Sequence, residues 1–345
     1  MKKEWRVRAG AVIAALALCA LPGIHRQRQA QATGAMAAAT GERLLIPGGQ
    51  AVGVALKTQG VLVVAGGEQE QINSPLREGD LIVSAAGKSV RSAAELSQAV
   101  LEAQQDALHL GIVRDGREMT VEAAVSADQA DGKRRLGVWV RDSTAGVGTL
   151  SYVDPATWDY GALGHAIVDA DTGALLTVQE GAVMEADVVG VVRGQVGKAG
   201  ELRGSFLKEG RQIGSLVRNC SRGIYGRMDD LPDALLYPEG LPMGTQSEVH
   251  PGAATIISTV DGEGPVEYAI EIVRCLGQEK SGQKDMMIRV TDERLIAKTG
   301  GIVQGMSGSP IIQDGKLVGA VTHVLVNDPT RGYGIFIENM LEAAK

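Results

Sequence analysis

The stretch Gly305-Met306-Ser307-Gly308-Ser309-Pro310, followed by Ile311-Ile312-Gln313, Asp314-Gly315 and Leu317-Val318-Gly319-Ala320-Val321, decides how the chain is read. Two apolar runs joined by Asp-Gly predict a β-hairpin, because that dipeptide tolerates the positive φ values of a tight two-residue turn. Ahead of the hairpin a serine stands between small residues. Glycine lets the backbone turn sharply enough to present that side chain and to aim the N–H groups of Gly305 and Ser307 at a developing oxyanion. The hexapeptide also suits an ordinary turn between strands, so a nucleophile has to find its partners elsewhere.

A nucleophilic serine needs a base and a group that orients it. Of the five histidines, His25 lies among arginines, His109 sits in a strand-like alternation and His250 precedes a proline. His165 lies in Gly161-Ala162-Leu163-Gly164-His165-Ala166-Ile167-Val168-Asp169, where glycines flank a short apolar run, and is the favoured base. His323, which ends the strand after the serine hairpin, is the reserve candidate. Asp292 follows the run Met286-Met287-Ile288-Arg289-Val290-Thr291 and precedes the serine by 307 − 292 = 15 residues, within reach of one connection. Asp169 and Asp171 are nearer His165, but Asp171-Thr172-Gly173 reads as a turn whose carboxylate bonds its own backbone. Position alone leaves the orienting carboxylate open.

Three segments carry a closer likeness. They are Tyr160-Gly161-Ala162-Leu163-Gly164-His165; Thr291-Asp292 with Thr299-Gly300-Gly301-Ile302-Val303-Gln304 and the serine hexapeptide; and Gly319-Ala320-Val321-Thr322-His323-Val324 with Val326-Asn327-Asp328-Pro329. On these segments the chain resembles the SpoIVB peptidases, signalling serine proteases of endospore-forming bacteria, over nearly all of its length after about residue 44. The resemblance implies a triad of His165, Asp292 and Ser307, in the order of chymotrypsin-like enzymes. It also implies a membrane-associated regulator of an intramembrane protease as substrate, with cleavage releasing that protease to process a mother-cell sigma-factor precursor during sporulation. Self-cleavage and a location in the intermembrane space of the developing spore are implied in the same way. Met306 stands where many chymotrypsin-like enzymes carry an aspartate, which puts a zymogen switch built on that aspartate in doubt.

Composition fits an exported β-rich protein, since 46 glycines among 345 residues supply many turns while aromatic content is only 3%. At about 100 to 200 residues per domain the chain has room for two modest cores. A net charge of −7 and a pI near 5.4 argue against nucleic acid as a partner. Lys2, Lys3, Arg6 and Arg8 precede an uncharged run from Ala9 to Ile24, which predicts a membrane-targeting segment with its basic end inside. Cys220 and Cys275 are the cysteines beyond that segment, and in an exported chain they are either a pair or two small buried thiols. No Cys-x-x-Cys or His-x-x-x-His occurs, so neither a metal nor another cofactor is expected.

The expected organisation is a signal or anchor segment over 1–30, a linker over 31–43, a PDZ domain over 44–127 and a serine peptidase domain over 133–345. Strands at Gly53–Leu56 and Val61–Ala65, the Gly79-Asp80-Leu81-Ile82 turn and strand, and a helix over Ala93–Glu102 follow the order of a PDZ domain. Its carboxylate-binding loop is expected at Gly48, Gly49, Gln50, Ala51, Val52 and Gly53, whose N–H groups would hold a peptide terminus while the peptide adds a strand. Val138-Trp139-Val140 is expected to open the peptidase half and a helix over Ile335–Ala344 to close it. Residues 186–230 read as strands with no catalytic signature. The predicted fold class is therefore mainly β: a PDZ domain followed by a chymotrypsin-like double β-barrel. The competing function is a non-catalytic PDZ scaffold whose protease half only binds.

Overall fold

A long strand, β2 (Ala51–Gly66), follows the short strand β1 (Leu44–Pro47) and belongs to two layers of structure at once. The computed structural model describes residues 43–66, 74–128, 131–205, 211–276 and 283–345. The expected targeting segment, and the linker up to residue 42, lie outside the described residues. No helix among the described residues is long and apolar enough to cross a membrane.

A small module comes next, made of β3 (Leu81–Ala85), β4 (Lys88–Ser89), helix α1 (Ala93–Glu102), β5 (Ala107–Arg114) and β6 (Arg117–Ala124). β7 (Ser126–Ala127) and β8 (Arg134–Arg135) pair with each other and lead into the second long strand, β9 (Val138–Val153). Alternation along β5 turns Leu108, Leu110 and Ile112 toward Leu96 and Val100 of α1, which gives the module its own core. The helix begins where Ser92 Oγ accepts the Glu95 N–H, and the Asp142 carboxylate of β9 accepts the Ala93 N–H at 2.9 Å. Arg114 makes a two-pronged pair with buried Asp80, fixing the turn before β3. The Val61–Ala65 strand, the Gly79–Ile82 turn and strand and the helix follow the order expected of a PDZ domain, and α1 spans the predicted residues, but the Gly53–Leu56 strand expected with them pairs within the first barrel instead.

Beyond β9 the chain forms β10 (Asp159–Ala162), β11 (Val178–Glu185), the hairpin β12 (Asp187–Val192) and β13 (Glu201–Ser205), then β14 (Gln212–Cys220) and β15 (Gly223–Met228). Strand pairing runs β2–β9–β10–β15–β14–β11 and returns to β2, a closed antiparallel ring of six strands. Val54, Leu56, Leu150, Tyr160 and Ile213 fill it. This corrects the expected boundaries. Ala51–Lys57 pairs with Ser143–Thr149 on one side and with β11 on the other, so the first strand of the first barrel precedes the module. The module is an insertion in that barrel, and Leu62–Gly66 pairs with Val138–Arg141 across the junction. No cut near residue 133 separates the two.

After the two-residue β16 (Leu241–Pro242), which pairs with β1, come β17 (Gly252–Ser258), β18 (Val266–Cys275), β19 (Met286–Val290), helix α2 (Glu293–Thr299), β20 (Pro310–Gln313), β21 (Lys316–Leu325), β22 (Asp328–Phe336) and helix α3 (Ile337–Ala344). Their pairing β17–β18–β19–β22–β21–β20 closes the second barrel. The predicted hairpin is there: Asp314 and Gly315 have φ of 51° and 72°, and Gln313 faces Lys316. The closing helix starts two residues later than predicted, because Ile335 and Phe336 remain in β22. Cys220 and Cys275 are both free thiols.

Candidate active site

The serine turn lies between the barrels, held from three directions. Gly305 and Gly308 take φ of +97° and +99°, the left-handed region that favours glycine. Met306 is buried in the core of the second barrel, so the position that an ion-paired aspartate would need is apolar here. Ser307 Oγ donates to the Thr322 carbonyl at 2.8 Å, while the Gly308 N–H donates to Val321. The Gln304–Gly305 peptide is clasped by the β12–β13 hairpin: Gln304 N–H donates to Gly200, and Leu202 N–H donates to the Gln304 carbonyl. The Met306 carbonyl accepts the Ser309 N–H. With those carbonyls fixed, the N–H groups of Gly305 and Ser307 are left without an acceptor among the described residues. Two unengaged donors therefore lie beside the serine hydroxyl.

His165 reaches the same place from the first barrel. Leu163 and Gly164 both have φ of +68°, and the strain at Leu163 is offset by its N–H donating to Thr149. A Cβ on Gly164 would lie 2.8 Å from the Thr322 side chain, so glycine allows the loop carrying His165 to lie against the residue that holds Ser307 Oγ. Nδ1 of His165 lies 2.9 Å from the Ala166 carbonyl. A carbonyl only accepts, so Nδ1 carries the proton and Nε2 is the free base. Burial lowers the His165 pKa below the usual histidine value, against a smaller opposing effect of the Ala166 carbonyl. Activity that needs neutral His165 should therefore persist as pH falls below about 6.5 and disappear only through a more acidic midpoint. A pH profile of kcat/KM checks this, and a midpoint above 7 would contradict it.

His323 stands beside His165, with ring centroids 5.5 Å apart and planes tilted by 45°. Burial, then the neighbouring His165 and Lys284, push its pKa down to about 4, and its buried Nδ1 has no hydrogen-bond partner among the described residues. Its sequence position alone makes it only the reserve base.

Asp292 is elsewhere. Its carboxylate caps α2 by accepting the Arg294 N–H, accepts the Ala269 N–H, and pairs with the Arg294 guanidinium at 2.7 Å. The Arg294 hydrogen bond, outweighing burial, draws its pKa down to about 2. In the second barrel Tyr333 of β22 faces both His323 and Met287, and Asp292 lies five residues beyond Met287. Asp292 is two residues past the end of β19, and its carboxylate bonds to Arg294 and Ala269. The structure thus brings together Ser307, His165, His323 and the Gly305 and Ser307 N–H groups, and leaves Asp292 apart from them. Asp169 is also committed, since it accepts from Asp171, Thr172 and Arg141; the turn expected of Asp171 is held by its neighbour.

The expected peptide-binding loop is corrected by its backbone bonds. Gly48 and Gly49 donate to Ser151 and Leu150, and Ala51, Val52 and Gly53 pair with β9. Gln50 accepts from Leu150, and Gly49 accepts from Thr259 of the second barrel. A Cβ on Gly48 would sit 2.3 Å from the Leu150 carbonyl, so these glycines serve close packing at the barrel seam. Their amides are not free to hold a peptide terminus. Gly200, Leu202 and Thr149, all next to the serine turn, were missed by sequence reasoning because they act mainly through backbone groups.

Residues 132–341 match the family described as SpoIVB peptidase S55. No curated protein matches the chain. Among solved structures, the PDZ domain of an SdrC-like protein from Listeria monocytogenes is similar at 17% identity, covering 24% of this chain and 87% of that one, with a TM-score of 0.22. The active form of the Rv3671c protease from M. tuberculosis is similar at 13% identity over 58% of this chain and 72% of its own, TM-score 0.36. The HtrA-type protease AlgW with a decapeptide shares 11% identity over 86% of this chain and 63% of its own, TM-score 0.36. At such scores the two barrels stand on their own strand pairing.

Proposed function

The chain belongs to the SpoIVB peptidase S55 family, and on that premise we propose that it is a serine endopeptidase in which Ser307 is the nucleophile and His165 its base. The observation that supports this reading is the packing of the loop that carries His165 against the serine turn, where a Cβ on Gly308 would lie 2.6 Å from the Leu163 nitrogen and one on Gly164 2.8 Å from the Thr322 side chain, beside two unengaged N–H donors. In the reaction the Ser307 hydroxyl leaves the Thr322 carbonyl and gives its proton to Nε2 of His165 as Oγ attacks the peptide carbonyl. The new oxyanion takes the N–H groups of Gly305 and Ser307. Protonated His165 then delivers the proton to the leaving amine, and the acyl-enzyme is hydrolysed by water activated through the same nitrogen.

Asp292, the third member of the triad that the resemblance implies, is read here as the cap that starts α2, the helix leading to the serine turn. Under that reading Asp292→Asn, which keeps a capping oxygen, should retain activity within about tenfold, since Asn and Asp cap helices about equally well. A loss near 10⁴-fold would instead mark an orienting carboxylate and require a rearranged active state. The enzyme is further proposed to be exported and membrane-associated, in the intermembrane space of the developing spore. There it would cleave itself and a membrane-bound regulator of an intramembrane protease, with sigma-factor processing as the outcome, and the inserted module would bind peptide. Family membership supports these points.

One observation favours the scaffold reading instead: Ser307 Oγ rests on Thr322, and His165 has no carboxylate partner among the described residues. Incubating the full chain with a fluorophosphonate probe and with casein separates the two. An adduct mapped to Ser307 together with casein cleavage supports the peptidase. Absence of both leaves the scaffold, and ester turnover alone would mean a small-ester hydrolase.

A further inference from the structure

Thr149 is the residue on which the halves of the site meet. It is 1% exposed and lies in β9. Its N–H donates to the Ser307 carbonyl at 3.0 Å, its Oγ1 donates to the Gly305 carbonyl at 2.7 Å, and its own carbonyl accepts the Leu163 N–H, two residues before His165. One residue therefore fixes the carbonyls on both sides of Met306 and the entry to the histidine loop. The Gly305 carbonyl belongs to the peptide between the two oxyanion donors, so its direction helps set theirs. Burial of Thr149 makes that bond hard to replace, because a carbonyl that loses a buried donor is left unsatisfied.

The same strand runs without a break into the inserted module. Val138–Arg141 pairs with Leu62–Gly66, and Asp142 caps α1 through the Ala93 N–H. Thr149 lies 149 − 142 = 7 positions beyond Asp142, about 23 Å of extended chain. In between, Ser143–Thr149 is clamped by Ala51–Lys57. That paired stretch is stiff toward sliding, because a one-residue slip turns every side chain to the other face, and the register with β2 shifts only past it, between Lys57 and Leu62.

Resting on the reading of Ser307 as nucleophile, we infer that Thr149 is the positioning residue of the serine turn and that β9 couples it to the inserted module through the Asp142 cap on α1. The hydroxyl of Thr149 does not touch the substrate. It holds the turn in the geometry that aims the Gly305 and Ser307 N–H groups, and anything that releases Asp142 from α1 loosens the far end of the strand that carries it.

The test uses the full chain and a fluorophosphonate probe, resolving the maximal labelling rate from the probe concentration that half-saturates it. Thr149→Val, which keeps the shape and removes the donor, should lower the maximal rate about 10- to 100-fold, as small misplacements of reacting groups do. Half-saturation should move less than about twofold and Thr149→Ser should restore most of the rate, as expected when the lost term is transition-state geometry. Asp142→Ala should slow labelling a few-fold in the wild-type background and have no further effect beside Thr149→Val, the non-additivity of coupled residues. Thr149→Ala carries the same expectation if the valine variant does not fold, with a circular-dichroism melt reporting folding. Wild-type labelling with undiminished Thr149→Val labelling overturns this inference alone, as does Thr149→Ser behaving like Thr149→Val. Multiplying effects of Asp142→Ala and Thr149→Val overturn the coupling. No labelling of the wild type overturns the enzymatic reading and this inference with it.

Discussion

A chain carrying Ser307→Ala is expected to lose peptide-bond hydrolysis by about 10⁶-fold, and His165→Ala by nearly as much, with the double variant no worse than either. The reason is that the two act on one proton. Without the serine there is no oxygen to acylate, and without Nε2 the hydroxyl proton has nowhere to go, so removing the second partner of a disabled pair costs nothing more. What survives is the oxyanion pair at Gly305 and Ser307 and whatever binding the cleft provides. Quantitative mass spectrometry of casein fragments over long incubations reads losses of this size. Activity in Ser307→Ala above about one part in a thousand of wild type would point to another nucleophile. Ser309, the nearest alternative in the turn, is fully buried and its hydroxyl has no partner among the described residues, a poor position for meeting a substrate.

Gly308→Ala should also be damaging, for a steric reason. A Cβ there would lie 2.1 Å from the Thr149 carbonyl oxygen and 2.6 Å from the Leu163 nitrogen, at a φ of +99°. Both obstacles are backbone, so no side-chain rotation relieves the contact. The serine turn, Thr149 or the histidine loop has to move, and with it the distance from Ser307 to His165. Labelling by a fluorophosphonate should fall at least about 100-fold, since misplacement by about 1 Å can cost that much, and the melting temperature should drop as well. Gly315→Ala is the control. Its φ of +72° is also left-handed, but a Cβ there meets nothing within 4 Å. It should cost about 1–2 kcal/mol of stability and leave labelling intact. Full labelling of Gly308→Ala would show that the turn relaxes without consequence and that the packing at Thr149 does not set the site.

Local features were legible in the sequence. The Asp314-Gly315 hairpin, the amphipathic helix from Ala93 and the glycine-bounded serine all follow from short-range rules, because turn residues and periodicity act over a few positions. The family resemblance added the barrels. The error over the module came from non-local pairing: Ala51–Lys57 could equally begin a small domain or complete a barrel, and nothing within the segment names Ser143–Thr149 as its partner. The glycines at 48 and 49 have the composition of an anion-binding loop, but whether their amides are free depends on β9, about a hundred residues away. Asp292 did carry a local cue. An aspartate before Glu293 and a run ending at Gly300 is the pattern of a capped helix, and that pattern describes its contacts here.

The sharing of β2 and β9 also bears on how the chain reaches its native state. Gly66 and Val138, paired in the folded protein, are 138 − 66 = 72 residues apart. Closing so long a loop from a random coil is entropically unfavourable, and contacts that reward it arrive late. A module that folds first brings those two strands side by side and shortens the search to a zipper running from Val140 toward Thr149. The insertion is then an internal folding template: damage to its core would slow assembly of the catalytic barrels even where every contact near Ser307 is untouched.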